Sequence, residues 1–214
     1  GPYGVPRRWR PLEWSANGIQ YTHERPISVQ QSAHVYIMQI RPNFPDEMKA
    51  IDWFAPDDSA TSVFVPFYGV ITTVPAEYSY FSGATRLKFD FNSAFWVSNL
   101  VAQLAYSNWD NIYPEVLQQI QQIQQQYIND VQTLDAKVIE LFQEGKTEEG
   151  IKVLTDYSCS TGSQFVAQWL DFWKYLVPRF LDGVKNGAGP MPYRTSFYQS
   201  IAKETGDKYR VWNQ

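Results

Sequence analysis

Ser32-Ala33-His34-Val35-Tyr36-Ile37-Met38-Gln39-Ile40 is the stretch on which the fold turns. In an extended chain, side chains alternate between two sides. Ala33, Val35, Ile37 and Gln39 therefore share one side, and His34, Tyr36, Met38 and Ile40 the other. Both sides are largely apolar, which predicts a strand covered on both faces. Two further strands follow, from Ala50 to Ala55 and from Thr61 to Tyr68. Pro42-Asn43-Phe44-Pro45-Asp46 and Pro56-Asp57-Asp58 supply the reversals, so the strands are expected to run antiparallel. Val70 to Val74 reads as a short extra piece and Arg86 to Phe89 as a weak edge.

Upstream, residues 1–30 are rich in Pro and Arg and lack helical periodicity. They predict a loop-like lead-in with a short strand near Ile19 to Thr22. Downstream, the pattern becomes helical. A first helix is expected from about Ser93 to Ser107, capped by Asn92 or Asp90. A long one follows, capped by Asp110 or Asn111, with Pro114 tolerated in its first turn and Gly145 as its stop. Within it Leu117, Ile120, Ile123, Tyr127, Val131, Leu134, Val138 and Leu141 recur at steps of three and four. That periodicity makes the glutamine-rich stretch Gln118 to Gln126 an amphipathic helix, packed on the strand layer or, as the alternative reading, in a partner-binding coiled coil. Another helix starts at Thr147 and runs to about Tyr157. A last one spans about Ser160 to Asp182, either separate or continuous with it, with Pro178 kinking its end. A short helical piece falls near Ser196 to Thr205. Strands first and helices afterwards argue for an α+β fold.

Composition excludes several functions. The 214 residues carry a net charge of −4, and no basic stripe alternates with aromatics, so a nucleic-acid partner is not expected. Arg7, Arg8 and Arg10 flank Trp9 and read as a local anchor. No apolar run approaches the roughly 20 residues of a membrane span. A single cysteine, Cys159, leaves no internal disulfide and no multi-cysteine zinc site. The 8 Trp, 14 Tyr and 13 Phe fit either a large core or a peptide- or sugar-binding platform.

The usual catalytic inventory is thin. No GxSxG, HExxH, phosphate-binding loop or dinucleotide fingerprint is present. Cys159 has no His or Arg nearby in sequence and reads as an incidental thiol. His34, among apolar residues, reads as a core histidine. His23, beside Glu24 and Arg25, fits either a polar site or a solvated cluster. Arg25 precedes Pro26 and the strand start, where a guanidinium could clamp a carboxylate through two parallel bonds. Gln30, Gln31 and Ser32 offer hydrogen bonds at the same strand entrance.

Several segments, taken in order, resemble a known family. These are Arg25-Pro26-Ile27-Ser28-Val29-Gln30-Gln31-Ser32, then Asp52-Trp53-Phe54-Ala55, then Ala60 through Tyr68, then Val74-Pro75. Asp90 through Asn99, the long Gln-rich helix and Leu154-Thr155-Asp156-Tyr157-Ser158 continue the series. The chain resembles the C-terminal half of the C69 (U34) cysteine dipeptidases, of the N-terminal-nucleophile (Ntn) hydrolase superfamily.

The resemblance implies an αββα sandwich, dipeptide substrates and no cofactor. It also implies a nucleophilic cysteine at the start of the mature chain, whose own α-amine takes the thiol proton. Gly1 is not such a nucleophile, so no catalytic residue is expected in this chain, and the isolated chain is expected to be inactive. Its partner would be an N-terminal segment or chain carrying the cysteine. Arg25, Gln31 and Ser32 would bind substrate, while Trp53, Tyr68 and Trp96 would serve packing. One structural domain is expected, incomplete without that segment: 1–90 as lead-in and strand layer, 91–183 as helical layer, 184–214 as tail. Homo-oligomerisation, and export of a parent bearing a signal peptide, stay open. So do two other readings, a related acyl-amide hydrolase and a non-catalytic peptide- or glycan-binding scaffold.

Overall fold

The computed structural model describes residues 4–5, 12–23, 27–79 and 83–211. Arg7, Arg8, Trp9, Arg10 and Arg25 lie outside them. The fold is α+β, with antiparallel sheets followed by long helices.

The lead-in holds a hairpin, β1 (Glu13–Ala16) and β2 (Ile19–Thr22). Asn17 and Gly18 turn it with φ of 52° and 76°. Positive φ at both central residues is what a tight hairpin turn requires, and Asn-Gly is the pair that tolerates it best. β1 thus adds a strand where only β2 is expected from the sequence.

The main sheet has three strands in the order β3-β4-β5: β3 (His34–Ile40), β4 (Ala50–Pro56) and β5 (Val65–Tyr68). The register pairs Ile37 with Trp53 and Trp53 with Pro66. Residues 61–64 precede β5 without joining it. Val70 to Val74 forms no strand, and Arg86 to Phe89 forms only a turn closed by a Thr85–Lys88 bridge.

Four helices follow: α1 (Ala94–Ser107), α2 (Trp109–Gln143), α3 (Thr147–Arg179) and α4 (Thr195–Thr205). The cap of α1 is Ser93, whose hydroxyl accepts from the Trp96 N–H, rather than Asn92 or Asp90. Asp90 instead accepts from Asn92 in the turn before it. Asn108, not Asp110 or Asn111, stands at the start of α2. Gly145, with φ of 76°, ends the reversal after α2. The two helices read after Thr147 are one, because no Pro or Gly turn interrupts Tyr157 to Ser160. Short strands β6 (Phe180–Leu181), β7 (Val184–Lys185) and β8 (Gly189–Pro190) form a small sheet in the tail. Asp182-Gly183 turns between the first two.

The two edges of the main sheet differ. On the β5 side, α3 covers the edge: the Tyr68 N–H donates to Ser158 Oγ, and the Thr72 N–H to Thr155 Oγ1. Gly162 permits this approach, since a β-carbon there would stand 2.6 Å from Pro75 Cγ. On the β3 side, no strand or helix covers the edge among the described residues. Tyr36, Ile37, Met38 and Ile40 are 59%, 55%, 51% and 64% exposed. The expectation of a strand covered on both faces is therefore corrected. The same correction applies to His34, which lies exposed and stacked on Phe54 at 5.3 Å instead of in the core.

Sheet and helices are bolted together by a buried ion pair. Arg41, just past β3, pairs with Asp135 of α2 and donates to the Met48 carbonyl. Tyr68 Oη donates to the other Asp135 oxygen at 2.7 Å. Burial, and then the Asp135 carboxylate, hold the Tyr68 phenol far above its ordinary range, so it remains a donor. Around this bolt pack Met48, Ile51, Val131, Val138 and Leu154. The Gln-rich face of α2 also serves the sheet: Gln124 both accepts from the Phe64 N–H and donates to its carbonyl.

Removing one member of a buried pair strands the other charge. Asp135→Ala is expected to cost about 3–5 kcal/mol in urea unfolding, and Tyr68→Phe only about 1–2 kcal/mol.

Candidate functional site

Where β3 begins and β4 ends, a loop and a turn are laced together by hydrogen bonds. The turn is Asp57-Asp58, and both residues are buried, at 1% and 0% exposure. The sequence marks them only as a reversal, for which solvent exposure is the ordinary expectation. Asp57 takes a positive φ of 64°, which an Asp tolerates better than most residues. That kink sends the two carboxylates to different partners.

Asp58 accepts from Ser28 Oγ at 2.6 Å, from the Ala60 N–H at 3.1 Å, and from the Tyr106 hydroxyl of α1. Ser59 Oγ in turn donates to Ser28 Oγ at 2.9 Å. Asp57 receives the Asn99 side-chain amide on both oxygens, at 3.3 and 3.2 Å. Its own N–H donates to the Ala33 carbonyl at 2.9 Å. The loop containing Gln31 and Ser32 is thus tied down on both sides, at Ser28 and at Ala33.

The predicted site residues divide accordingly. Ser32 closes a turn through its N–H to the Val29 carbonyl. Gln31 is half-buried, and its side-chain oxygen and nitrogen have no partner among the described residues. A buried amide with idle donors and acceptor costs free energy unless something binds it. Arg25 lies outside the described residues. Sequence reasoning missed Asp57, Asp58, Asn99 and Tyr106. A signal existed in the doubled Asp after a strand, but only the fold shows that α1 meets it.

A third carboxylate, Asp52, stands in the sheet on the same side as His34. One of its oxygens is buried without a partner among the described residues. Burial raises its pKa, and His34 opposes that rise. Burial also raises Asp57, to about 7; Asn99 lowers it and the Asp58 charge raises it further. Asp57 is therefore poised near neutrality.

Cys159 is remote from this site. It sits half-buried in α3, where its sulfur donates to the Thr73 carbonyl at 3.4 Å. Among the described residues, no group of three His, Cys, Asp or Glu side chains could hold a metal ion, and no helix is long and apolar enough to cross a membrane.

The residues around the turn thus form a buried polar seam at the end of an antiparallel sheet, beside an amide unpartnered among the described residues. Comparison with known proteins then gives the family. A model of peptidase family C69 matches residues 8–123, more than half of the chain, and the chain belongs to that family. Dipeptidase A of Lactobacillus helveticus is 30% identical over 140 residues, 59% of this chain and 28% of the relative. Probable dipeptidase B of Lactococcus lactis subsp. lactis is 35% identical over 86 residues, 40% of this chain and 17% of the relative. Probable dipeptidase A of Streptococcus pyogenes serotype M1 is 32% identical over 87 residues, 41% of this chain and 18% of the relative. The matched stretch is thus under a third of these relatives' length.

Two outcomes follow from the seam. Asp57 is protonated in the folded chain and ionised in the unfolded one between about pH 4 and pH 7, so the folded state there binds the extra proton. Its contribution to stability is full below about pH 4 and is lost as pH rises through about 7. Relative to wild type, Asp57→Asn is expected to gain about 2–3 kcal/mol in urea unfolding between pH 5 and pH 8. Ser28→Ala, which removes a bond to a carboxylate, is expected to cost about 1–3 kcal/mol. It should also speed hydrogen exchange selectively in residues 27–33.

Proposed function

We propose that this chain is the substrate-side part of a cysteine-type dipeptidase of the Ntn-hydrolase superfamily. The nucleophilic cysteine would stand on a segment outside these 214 residues, and the whole would form an αββα sandwich. The three stretches 1–90, 91–183 and 184–214 would then make one structural domain, incomplete without that segment.

The observation that carries this reading is the open edge of β3. It presents seven residues without a charge, a proline or a bulge, the devices by which proteins protect a true edge. Beside it, a groove of about 780 Å³ separates Ile37, Gln39 and Trp53 from Gln124, Ile128 and Gln132 of α2. The groove leaves the β3 side of that sheet face uncovered by α2. The names of the relatives support a dipeptidase activity, and the position of Cys159 argues against that thiol as the nucleophile.

In the proposed reaction, the cysteine's α-amine, with a pKa near 8 in the range of about 7.7–8.0, accepts the thiol proton. The thiolate attacks the dipeptide carbonyl, and the C–N bond breaks as the amine leaves with that proton. Water then hydrolyses the thioester and regenerates the thiol. The residues of this chain bind and orient the substrate. Arg25 pairs with its carboxylate, while Gln31 and Ser32 hydrogen-bond its peptide group. The Asp57-Asp58 turn keeps their loop in place.

The test compares the complete protein with the 214-residue chain on a panel of dipeptides and acyl amides. Dipeptide hydrolysis by the complete protein alone is expected, with Gln31→Ala raising KM by about 5–100-fold. Equal turnover by the isolated chain, or cleavage of acyl amides but not of dipeptides, would refute the proposal.

A further inference from the structure

A cavity of about 260 Å³ adjoins the loop and turn just described, and Ala33 and Pro56 belong to both. Its walls are the rings of Phe54, Tyr78, Phe95 and Trp96. These rings are fixed. The Trp96 indole N–H is shared between the carbonyls of Thr85 and Lys88, each at 3.0 Å. Phe54 is held between His34, stacked at 5.3 Å, and Tyr78, edge-on at 6.0 Å. Glu77 and Arg86 also line the cavity, and one Glu77 carboxylate oxygen accepts from Ser163 Oγ at 3.0 Å. Glu77 forms no ion pair with another described residue.

The size is informative. Pockets for drug-sized ligands run to roughly 300–1,000 Å³, so this cavity suits one side chain rather than a whole extended ligand. Rigid aromatic walls favour an apolar or aromatic side chain, which they contact at little entropic cost. A fixed, unpaired carboxylate beside aromatic faces favours an ammonium, which both attract. Only the amino-terminal residue of a dipeptide carries both groups on one α-carbon.

We propose that this cavity is the specificity pocket for the amino-terminal residue of the dipeptide. It takes an aromatic or branched apolar side chain, with Glu77 as the counter-charge for the α-ammonium. The proposal rests on the dipeptidase reading and adds the substrate class.

The test uses the complete protein with Phe-Gly, Gly-Gly and N-acetyl-Phe-Gly. Wild type is expected to favour Phe-Gly over Gly-Gly by about 10–200-fold in kcat/KM. Trp96→Ala should collapse that ratio towards one while Gly-Gly turnover persists, which also reports a folded enzyme. Where Trp96→Ala does not fold, Phe95→Ala replaces it. Glu77→Gln should raise KM for Phe-Gly about tenfold or more and leave N-acetyl-Phe-Gly unchanged. An unaltered Phe-Gly to Gly-Gly ratio in a variant that still cleaves Gly-Gly overturns the pocket and leaves the dipeptidase reading standing. If the complete protein cleaves no dipeptide, that reading fails instead. Calorimetric titration of the complete protein with Phe-Gly then decides the pocket: binding weakened by Glu77→Gln supports it, and no binding or equal binding overturns it.

Discussion

The Arg41–Asp135 pair is the point on which the sheet and the helices agree. Arg41 follows β3, Tyr68 ends β5, and Asp135 lies about three-quarters of the way along α2. One carboxylate therefore fixes the height of the helix against both outer strands. A cation and an anion taken out of water are expensive unless every bonding position is filled. Here the guanidinium also reaches the Met48 carbonyl and lies over the Phe44 ring at 4.2 Å. Apolar packing alone would let α2 slide by a turn, since its Ile, Tyr and Val residues repeat along the face. The charged bolt admits one register.

That register places α1 as well. Helix α1 runs into α2 with only Asn108 between them, so the position of α2 sets where Asn99 and Tyr106 can stand. They stand seven residues apart, two helical turns, on one face. Each meets one carboxylate of the Asp57-Asp58 turn. The loop from Ser28 to Ala33 is then pinned by that turn. A chain of contacts thus runs from the core bolt through two helices to Ser28 and Ala33. Polar groups buried at such a seam rigidify it when satisfied, and Gln31 is the member left idle.

Much of this is legible in the sequence. Helix α2 is declared by its apolar period from Ile120 to Val138, and β4 by its length and its flanking turns. The hairpin of β1 was equally declared by Asn17-Gly18, whose signal is obscured by the prolines around it. The rest depends on tertiary contact. Apolar residues on both sides of β3 imply two covering layers, but the described residues leave Tyr36, Ile37, Met38 and Ile40 more than half exposed. His34 reads as a core residue for the same reason. The buried state of Asp57 and Asp58 runs against the ordinary solvation of turns, because their side-chain partners Ser28, Asn99 and Tyr106 stand 30, 42 and 48 residues away in sequence. Ser158 and Thr155 look like ordinary helix-surface residues until β5 is seen to end against them.

Gly162 links this architecture to the aromatic cavity. The Tyr78 ring lies 3.3 Å from where its β-carbon would be, and the next residue, Ser163, holds Glu77. One step of α3 therefore sets both a wall and a charge of the aromatic cavity without lining it. Drift in the packing behind α3 would reshape that cavity from a distance. Related chains thus have a route to differently shaped cavities while every residue lining them stays the same.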